Sequence, residues 1–556
     1  MVESKSPCVT NPIAAVPFQI SIGVARWAEA PTKRLQQDLQ SAIMIAPKLD
    51  MRQTTVVGSL PTIQADMKHS ETLALILLPS ELLIEILRHA DGRSILRCSS
   101  VCRKLNSVID SSAELQYRIE LALDCMLDGP QSTVTVAERL EQLRTLRRAW
   151  TLFEWKKEVR VPMHGFCHAY ELVGGVFAKT SSPAGIHNQS GPRKFISSWL
   201  PSSSDPGHTL VRKDIGISTR DFAIDPSQDL IALVQSDDNL VNGSSYTEIH
   251  IRTISSNVKH PEASSPVLRT LTPSTMTSAF IQIVDDVIGM MFWMELESPR
   301  ITIWNWRTGQ ILVDRDGDDL PSHISDFSFI SNRAYMITRG VNEGSIQVFT
   351  FGENEHEIIH VASLSLPPLK SRTHLVHCAI HTWSLCGKVS SKHAFLDQSG
   401  GADNSTPLRY IRKYREQRET DPFEVPWEEW GPRESRMLHH QVPYQWLRYV
   451  HGYRVVFPLL SGNMQVLDFN VRKTKRHVFP QQPDSKASVE VIDYPSTILA
   501  DGIFPGPVET SLPYRVCRRD ELKGFSGVMI DEQRLIGLKS PSFTDGDIKD
   551  LYVFVF

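Results

Sequence analysis

The sequence predicts a multidomain chain of the α plus all-β class. Three observations lead to this prediction. Apolar residues recur at helical spacing between residues 78 and 109, and a second, longer helical pattern follows at 135–157. Beyond it, short alternating and β-branched runs are separated by Gly, Pro, Asn and Asp. We therefore expect a disordered segment at 1–70, a small helical domain at 74–122, a helical linker at 123–158 and a large β-domain at 159–556.

Three short helices are predicted in the first domain. Pro79 suits the first turn of a helix, where a missing N–H costs nothing. Asp91 is a suitable N-cap for the second helix. The apolar residues of the three helices are Leu82, Leu83, Ile86 and Leu87, then Ile95 and Leu96, then Val101, Cys102, Leu105, Val108 and Ile109. This is more apolar surface than so small a domain needs for its own core, which favours a docking surface.

These residues resemble the F-box. The family pattern has Leu-Pro, then Glu-Leu-Leu, an Ile-Leu pair one turn later, paired aliphatics on a short helix, and Val-Cys-Arg-x-Leu. The matching positions are Leu78, Pro79, Glu81, Leu82, Leu83, Ile86, Leu87, Ile95, Leu96, Val101, Cys102, Arg103 and Leu105. The sequence departs from the pattern at Ala90, where members usually carry a larger aliphatic residue.

The resemblance implies a partner. F-box modules bind a small adaptor of the Skp family, which joins them to a cullin in SCF-type ubiquitin ligases, by laying apolar helix faces against helices of the adaptor. The adaptor-binding residues that it implies are Leu78, Pro79, Leu82, Leu83, Ile86, Leu87, Ile95, Leu96, Val101, Cys102 and Leu105. A helical hairpin that packs only on its own domain is the alternative, because aliphatic stripes alone are common.

Two further helices are predicted in the linker region. The run Ser111-Ser112-Ala113-Glu114 has the signature of a capping box, and Gly129-Pro130 ends the helix that it starts. The next helix, from Thr135 to about Lys157, has an apolar side and an arginine-rich side. The basic side is more typical of a solvated helix face than of a nucleic-acid surface. We interpret this helix as a rigid spacer.

A unit of strand, tight turn and two further strands recurs in the last domain. Arg220–Asp225 leads to Leu230–Val234, and Ser325–Ile330 leads to Ala334–Ile337. A spacing of about 40 to 50 residues is typical of β-propeller blades, and we expect seven of them. The run Ile303-Trp304-Asn305, followed by Thr308-Gly309, resembles the end of a degenerate WD-type repeat. Two packed β-domains are the structural alternative.

A charged insertion at 388–437 interrupts the repeats. It contains Trp427 and Trp430 beside acidic residues. Tryptophan is enriched at binding hot spots, so this segment is a candidate recognition loop. Alternatively, the two side chains hold the insertion against a blade.

Composition excludes several classes of protein. Net charge is −4, which does not favour bulk attraction to nucleic acid or to membrane surfaces. The eight cysteines include no C-x-x-C pair, which is typical of free thiols in a reducing compartment. No apolar run reaches the length of a membrane span, and no secretory signal is recognisable. We expect a cytoplasmic or nuclear protein without cofactor or metal.

One motif has a catalytic spacing. His356-Glu357-Ile358-Ile359-His360 matches H-E-x-x-H, in which two histidines on one helix face bind zinc. Here the motif continues into an alternating run, and on a strand positions 356 and 360 lie roughly 13 Å apart, too far to share a metal. Acidic residues at Asp314, Asp316 and Asp318 lack the glycine and glutamate of a calcium loop. We therefore predict no catalytic residue.

The sequence as a whole resembles F-box proteins of basidiomycete fungi that end in a propeller. That resemblance implies a non-catalytic subunit that recruits an unknown protein substrate to an SCF-type ligase. A propeller scaffold or regulator without a ligase role is the alternative function. The sequence does not identify the substrate-binding residues, because loop residues on propellers follow no transferable code.

Overall fold

The structure is a computed structural model. It describes residues 77–124, 126, 128, 134–163, 165, 167–181, 191–235, 245–272, 276–294, 299–317, 319–321, 324–339, 344–353, 357–368, 370, 406–417, 419–438, 448–459, 461–471, 485–499, 504–539 and 548–556. The segment at 1–70, predicted to be disordered, lies outside these residues and stays a prediction.

Five helices precede the β-domain in the described chain: α1 (Ser80–Arg88), α2 (Gly92–Ser99), α3 (Arg103–Ser111), α4 (Ala113–Leu123) and α5 (Val136–Leu152). Side chains near their starts explain where several begin. The Asp91 carboxylate accepts the N–H of Ser94 at 2.7 Å before α2. Thr135 and Glu138 form a capping box at α5. The cap of α4 is Ser112, whose side chain accepts the N–H of Leu115, so the third helical position is Leu115 and the predicted capping box with Glu114 is not formed.

In the part of the chain that the structure describes, six sheets follow as the blades of a β-propeller. The strands before and within the first three blades are β1 (Lys157–Pro162), β2 (Tyr170–Val173), β3 (Val176–Ser181), β4 (Lys194–Trp199), β5 (His208–Arg212), β6 (Thr219–Asp225), β7 (Leu230–Gln235), β8 (Ser245–Thr253), β9 (Val267–Thr272), β10 (Met276–Val284), β11 (Val287–Met294), β12 (Arg300–Asn305) and β13 (Ile311–Arg315). The fourth blade has β14 (Ile324–Ser331), β15 (Ala334–Arg339), β16 (Ser345–Thr350), β17 (Ile359–Ser365) and β18 (Phe423–Val425).

The strands of the last two blades are β19 (Val450–His451), β20 (Arg454–Pro458), β21 (Met464–Asp468), β22 (Ser488–Ile492), β25 (Tyr514–Arg518), β26 (Gly527–Ile530), β27 (Arg534–Leu538) and β28 (Asp550–Val555). A separate hairpin consists of β23 (Ser496–Ile498) and β24 (Val508–Thr510). The first strands of neighbouring blades contact one another, β2 with β6, β6 with β10 and β10 with β14, so they line the centre of the ring.

The ring is closed by strands from both ends of the β-domain. In the sixth blade the strand order is β1-β28-β27-β26. β1 pairs antiparallel with β28, with Lys157 opposite Val555 and Pro162 opposite Asp550. The strand that follows the helical linker is therefore the outermost strand of the last blade.

The prediction of seven blades was wrong. Residues that a seventh blade would require form insertions within the ring instead. Between β17 and β19 the chain forms α6 (Thr406–Gln417), β18 and α7 (Trp427–Glu434), and between β21 and β25 it forms β22 and the β23–β24 hairpin. The average number of residues per blade is therefore larger than the repeat spacing of about 40 to 50 residues from which seven blades were predicted.

Trp427 and Trp430 of α7 hold the insertion against the fourth blade. Their exposed fractions are 8% and 0%, and they belong to a cluster with Ala362 and Leu364 of β17. The indole N–H of Trp430 also donates to the carbonyl of Ser365 at 3.1 Å. These two side chains are therefore structural, and the second of the two interpretations of this segment is correct.

Apolar cores lie between adjacent blades. The second and third blades share a cluster that includes Trp304 and Trp306, and the third and fourth share one that includes Phe327 and Tyr335. Asn305 ends β12 just before the predicted turn, and its side-chain oxygen accepts the N–H of Arg307 in that turn at 3.0 Å. Within the described ranges, no helix combines the length and the apolar character that crossing a bilayer requires.

Candidate protein-docking surface

Some of the apolar residues predicted on the first three helices form the core of the helical domain. Leu83, Leu87, Ile95 and Leu105 are at most 7% exposed and pack with residues of α3 and α4. Their side chains hold the helices together and offer no surface to a partner. Leu78, Ile86 and Cys102 are half-buried, and Leu78 and Cys102 pack at the margin of this core.

Other apolar residues of these helices face outward. Leu82 is 51% exposed, Leu96 is 41% exposed and Val101 is 63% exposed, although all three are large apolar residues. Pro79 is exposed as well, and Leu77, which the sequence analysis did not single out, is 79% exposed. We call Leu77, Pro79, Leu82, Leu96 and Val101 the apolar face. A cluster of exposed large apolar residues is typical of an interaction site.

The turns of the domain place the apolar face at one end of the bundle. The ammonium group of Lys104, in the first turn of α3, donates to the carbonyl of Leu78 at 2.8 Å, so α1 and α3 begin side by side. Val101 lies in the turn between α2 and α3, where its N–H donates to the carbonyl of Cys98 at 3.1 Å. Leu96 is one helical turn earlier. The face thus lies where α1 and α3 begin and α2 ends.

Close packing at Gly92 fixes the position of α2. A Cβ atom at this residue would lie 2.6 Å from the Cβ of Ala122 and 2.9 Å from the carbonyl oxygen of Arg118. Only glycine allows α2 to begin this close to α4. The guanidinium of Arg118 also donates to the carbonyls of Arg88 and Ala90 at the end of α1. The apolar face is therefore carried by a rigid support.

The thiol of Cys98 behaves as an apolar group. It is half-buried beside the core, and burial, with a smaller effect of Asp91, raises its pKa. A thiol with a raised pKa stays protonated at neutral pH and is a poor nucleophile. At Cys98 the domain thus presents a packing group and not a reactive thiol.

Ion pairs tie the helical domain to α5. Arg147 of α5 pairs with Glu120 and Asp124 of α4, at 2.5 Å in each case, and its side chain is only 9% exposed. Burial opposes the charge, but the carboxylates of Asp124 and Glu120 outweigh it and hold the pKa of Arg147 above its usual value. Removing one partner of so buried a pair is costly.

Aromatic contacts then tie α5 to the propeller. The Trp150 ring stacks on Phe556 with centroids 3.7 Å apart, and its N–H donates to the carbonyl of Glu532 at 2.9 Å. The guanidinium of Arg454 in the fifth blade lies 4.4 Å from the same ring. Ala149, Trp150 and Phe153 belong to one core cluster with residues of the fifth and sixth blades. The helical domain is therefore firmly connected to the ring.

The H-E-x-x-H motif falls on a strand where the structure describes it. His360 lies in β17, stacked on Phe349 with centroids 4.8 Å apart, and His356 is outside the described residues. The helix that zinc binding would require is therefore not formed at His360. Nor do the described residues contain any group of three or more His, Cys, Asp or Glu placed to hold a metal.

Comparison with known protein families finds a match in the helical domain. Residues 75–121 match the F-box-like family, so the chain carries an F-box-like domain followed by a β-propeller. No curated protein matches the chain.

Similar solved structures include Hsv2 of Kluyveromyces lactis, with 10% identity, a TM-score of 0.26 and coverage of 36% of this chain and 62% of that one. The chain thus spans less than two thirds of the length of Hsv2. Another is the WD40 β-propeller domain of Doa1, with 8% identity, a TM-score of 0.25 and coverage of 71% of this chain and 95% of that one.

Proposed function

We propose that the chain is the substrate-recruiting F-box subunit of an SCF-type ubiquitin ligase. The observation that carries this proposal is the apolar face, which exposes Leu77, Leu82, Leu96 and Val101 on an F-box-like domain. The partner is an adaptor of the Skp family, and the adaptor connects the chain to a cullin. The proposed location is the cytoplasm, the nucleus or both.

Burial of the apolar face supplies the driving force for adaptor binding. Each large apolar side chain contributes about 1.5 to 3 kcal/mol when it is removed completely from water. The rigid support around Gly92 and Lys104 means that little ordering is required when the partner binds. The same helices use their opposite side chains for their own core, so binding does not compete with folding.

The propeller presents the target protein in this proposal. The chain itself performs no covalent chemistry, because ubiquitin transfer belongs to other subunits. Its contribution is proximity: a tethered target meets the loaded enzyme at a raised effective concentration. The contacts of Trp150 and Arg147 support this, since a firm junction holds the propeller at a constant distance and orientation from the adaptor.

Adaptor binding by exposed-residue variants tests the proposal. The purified full chain is titrated with a purified Skp-family adaptor, alongside Leu82→Asp and Val101→Asp. A charge placed at the centre of an apolar contact should weaken binding by roughly thirtyfold or more. Both side chains are more than half exposed, so the variants should fold as the wild type does.

Leu271→Asp is the matched control. Leu271 is an apolar residue that is 41% exposed on β9 of the second blade, far along the chain from the F-box-like domain. This variant should bind the adaptor with wild-type affinity. No binding by the wild type, or equal binding by all three variants, contradicts the proposed docking face and leaves a propeller scaffold as the better description.

A further inference from the structure

A groove opens between the third and fourth blades. It has a volume of about 800 Å³ and is lined by Arg315, Asp319, Leu320, Gln347, Phe349 and His360, among others. Arg315 ends β13, whereas Gln347 and Phe349 lie on β16 and His360 on β17. The volume is within the range of about 300 to 1,000 Å³ that ligand sites usually have.

A stack of three rings ends at one wall of the groove. Tyr335, Phe349 and His360 lie directly opposite one another on β15, β16 and β17. The centroids of Tyr335 and Phe349 are 5.1 Å apart, and those of Phe349 and His360 are 4.8 Å apart, with nearly parallel planes. Phe349 and His360 both line the cavity, but Phe349 is buried, so the half-buried imidazole of His360 is the more accessible ring.

The His360 ring is uncharged at neutral pH. Burial lowers its pKa, Arg315 acts in the same direction, and Glu424 and a backbone hydrogen bond oppose the shift. One ring nitrogen, Nε2, lies 3.2 Å from the hydroxyl of Ser363. The imidazole thus offers a neutral, flat face, which stacks well with another ring.

The charges of the groove favour neither a cationic nor an anionic ligand. Arg315 lies 5.4 Å from the Phe349 ring centroid and donates to the carbonyl of Asp319 at 2.6 Å. The carboxylate of Asp314 is paired with Arg300 at 2.5 Å. The lining thus carries charges of both signs, from Arg315 and from Asp314 and Asp319, so neither a cation nor an anion meets a wall of uniformly opposite charge.

The amide of Gln347 supplies a polar contact. Its side chain is half-buried on β16, opposite Ser363, and within the described ranges no side-chain hydrogen bond to it is formed. An amide in this position is able both to donate to and to accept from a ligand. A ligand with a flat body and a polar edge would match this wall.

We propose that this groove binds an aromatic side chain of a target protein, with its ring on the open face of His360 and its polar edge at Gln347 and Arg315. The proposal rests on the function proposed above, because it names the kind of side chain that the propeller selects in its target. Tyrosine and tryptophan fit best, since each combines a ring with one hydrogen-bonding group.

Ligand-observed NMR titration of the full chain tests the proposal. The probes are N-acetyl-tyrosinamide and N-acetyl-tryptophanamide, with N-acetyl-leucinamide as the non-aromatic comparison. The aromatic amides should bind saturably and roughly fivefold more tightly than the leucine amide, the ratio expected for a stacking contribution of about 1 kcal/mol. Equal affinities for the three amides, or no saturable binding, would overturn the proposal without the use of any variant.

Variants place the binding at the groove. His360→Ala should lower the affinity for the aromatic amides roughly fivefold, whereas His360→Phe, which keeps a flat ring, should retain it. The matched control is His250→Ala, since His250 is also a half-buried histidine on a strand but lies in the second blade. Unchanged affinity in a folded His360→Ala protein would contradict the site.

The outcomes separate this proposal from the ligase function. His360→Ala should bind the adaptor as the wild type does, and Leu82→Asp should bind the aromatic amides as the wild type does. Absence of aromatic selectivity in the wild type, with intact adaptor binding, contradicts the groove proposal alone. Failure of adaptor binding by the wild type contradicts the ligase function, and aromatic binding would then belong to a scaffold.

Discussion

Asp221 is an ionisable residue in a place where charge is costly. It lies on β6 at the centre of the ring and is 7% exposed, and burial raises its pKa from 3.8 to about 7. The nearby Glu171 adds to this shift, whereas Arg448 and Arg220 oppose it. The carboxylate of Glu171, on β2, is itself bound by the guanidinium of Arg448, which lies shortly before β19 in the chain.

The titration of Asp221 should make stability depend on pH. Its pKa in the folded protein is about 7, above the ordinary value of 3.8, so between these pH values the folded protein retains a proton that the unfolded chain has lost. The resulting stabilisation is fully present below pH 3.8 and is lost as pH rises through 7. It amounts to at most about 4 kcal/mol, at about 1.4 kcal/mol per pKa unit.

Replacement by asparagine tests this dependence. Asp221→Asn should keep the hydrogen bond from the N–H of Phe222, which the wild type forms at 2.8 Å, and should lack the titration. We expect it to be more stable than the wild type at pH 8, by a difference that shrinks steadily as the pH falls and disappears near pH 4, as measured by urea unfolding across this range. The control is Asp493→Asn, at an exposed residue. A parallel pH dependence of wild type and Asp221→Asn would contradict the assignment.

The exposure and the partners of single side chains were only partly predictable from the sequence. Helical spacing identified the apolar residues of the F-box-like domain, but Leu82 and Leu83 have the same chemistry and adjacent positions, and only the fold shows that one is exposed and the other buried. The pair of Glu171 and Arg448 joins residues 277 positions apart, on elements that only ring closure brings together. No local pattern contains that information.

Among the elements, α5 has the most consequence for function, because it connects both parts of the protein. Its sequence spacing predicted a helix with an apolar side, and the structure confirms one at Val136–Leu152. The sequence did not show what that side packs against. The partner is Phe556, which directly follows β28, together with Arg454 of the fifth blade.

Trp150→Ala should weaken this junction. The side chain is 2% exposed and stacks on Phe556, so its removal leaves a cavity and an unpaired carbonyl at Glu532. We expect a loss of about 3 to 5 kcal/mol in the free energy of unfolding of the propeller. Limited proteolysis should also cut the chain faster between the helical domain and the ring.

Gln142→Ala on the same helix is the control, since this side chain is exposed, and it should change stability by no more than about 0.5 kcal/mol. Equal stability of the two variants would show that the helix is held by its ion pairs to α4 alone.

At the scale of the whole molecule, the alternating pattern predicted a ring of blades but not their number. The predicted strands at Arg220–Asp225 and Ser325–Ile330 correspond to β6 and β14, and each is followed by the strand predicted to pair with it. Blade number failed as a prediction because insertions have no distinguishing period: α6 and α7 are joined to the fourth blade through β18, which pairs parallel with β17. Chain length alone does not separate an insertion from a blade.

Ring closure predicts the effect of a short deletion. Removing Asp550–Phe556 takes β28 from the middle of the sixth sheet and leaves β1 and β27 without the strand that they share. The deleted chain should lose the cooperative thermal unfolding of the propeller, as followed by circular dichroism. Its F-box-like domain has a separate core and should still bind the adaptor. Cooperative unfolding at the wild-type temperature would contradict this role of β28.

The position of β28 also matters during synthesis. A ribosome completes the F-box-like domain early and supplies the closing strand only with the final residues of this sequence, and domains generally fold as they emerge. A message interrupted within the propeller would therefore yield a product with a finished apolar face and an open ring. Under the proposed function, such a product would occupy the adaptor without delivering a target, so an early stop codon would act as an inhibitor of the pathway and not simply as a loss of the protein.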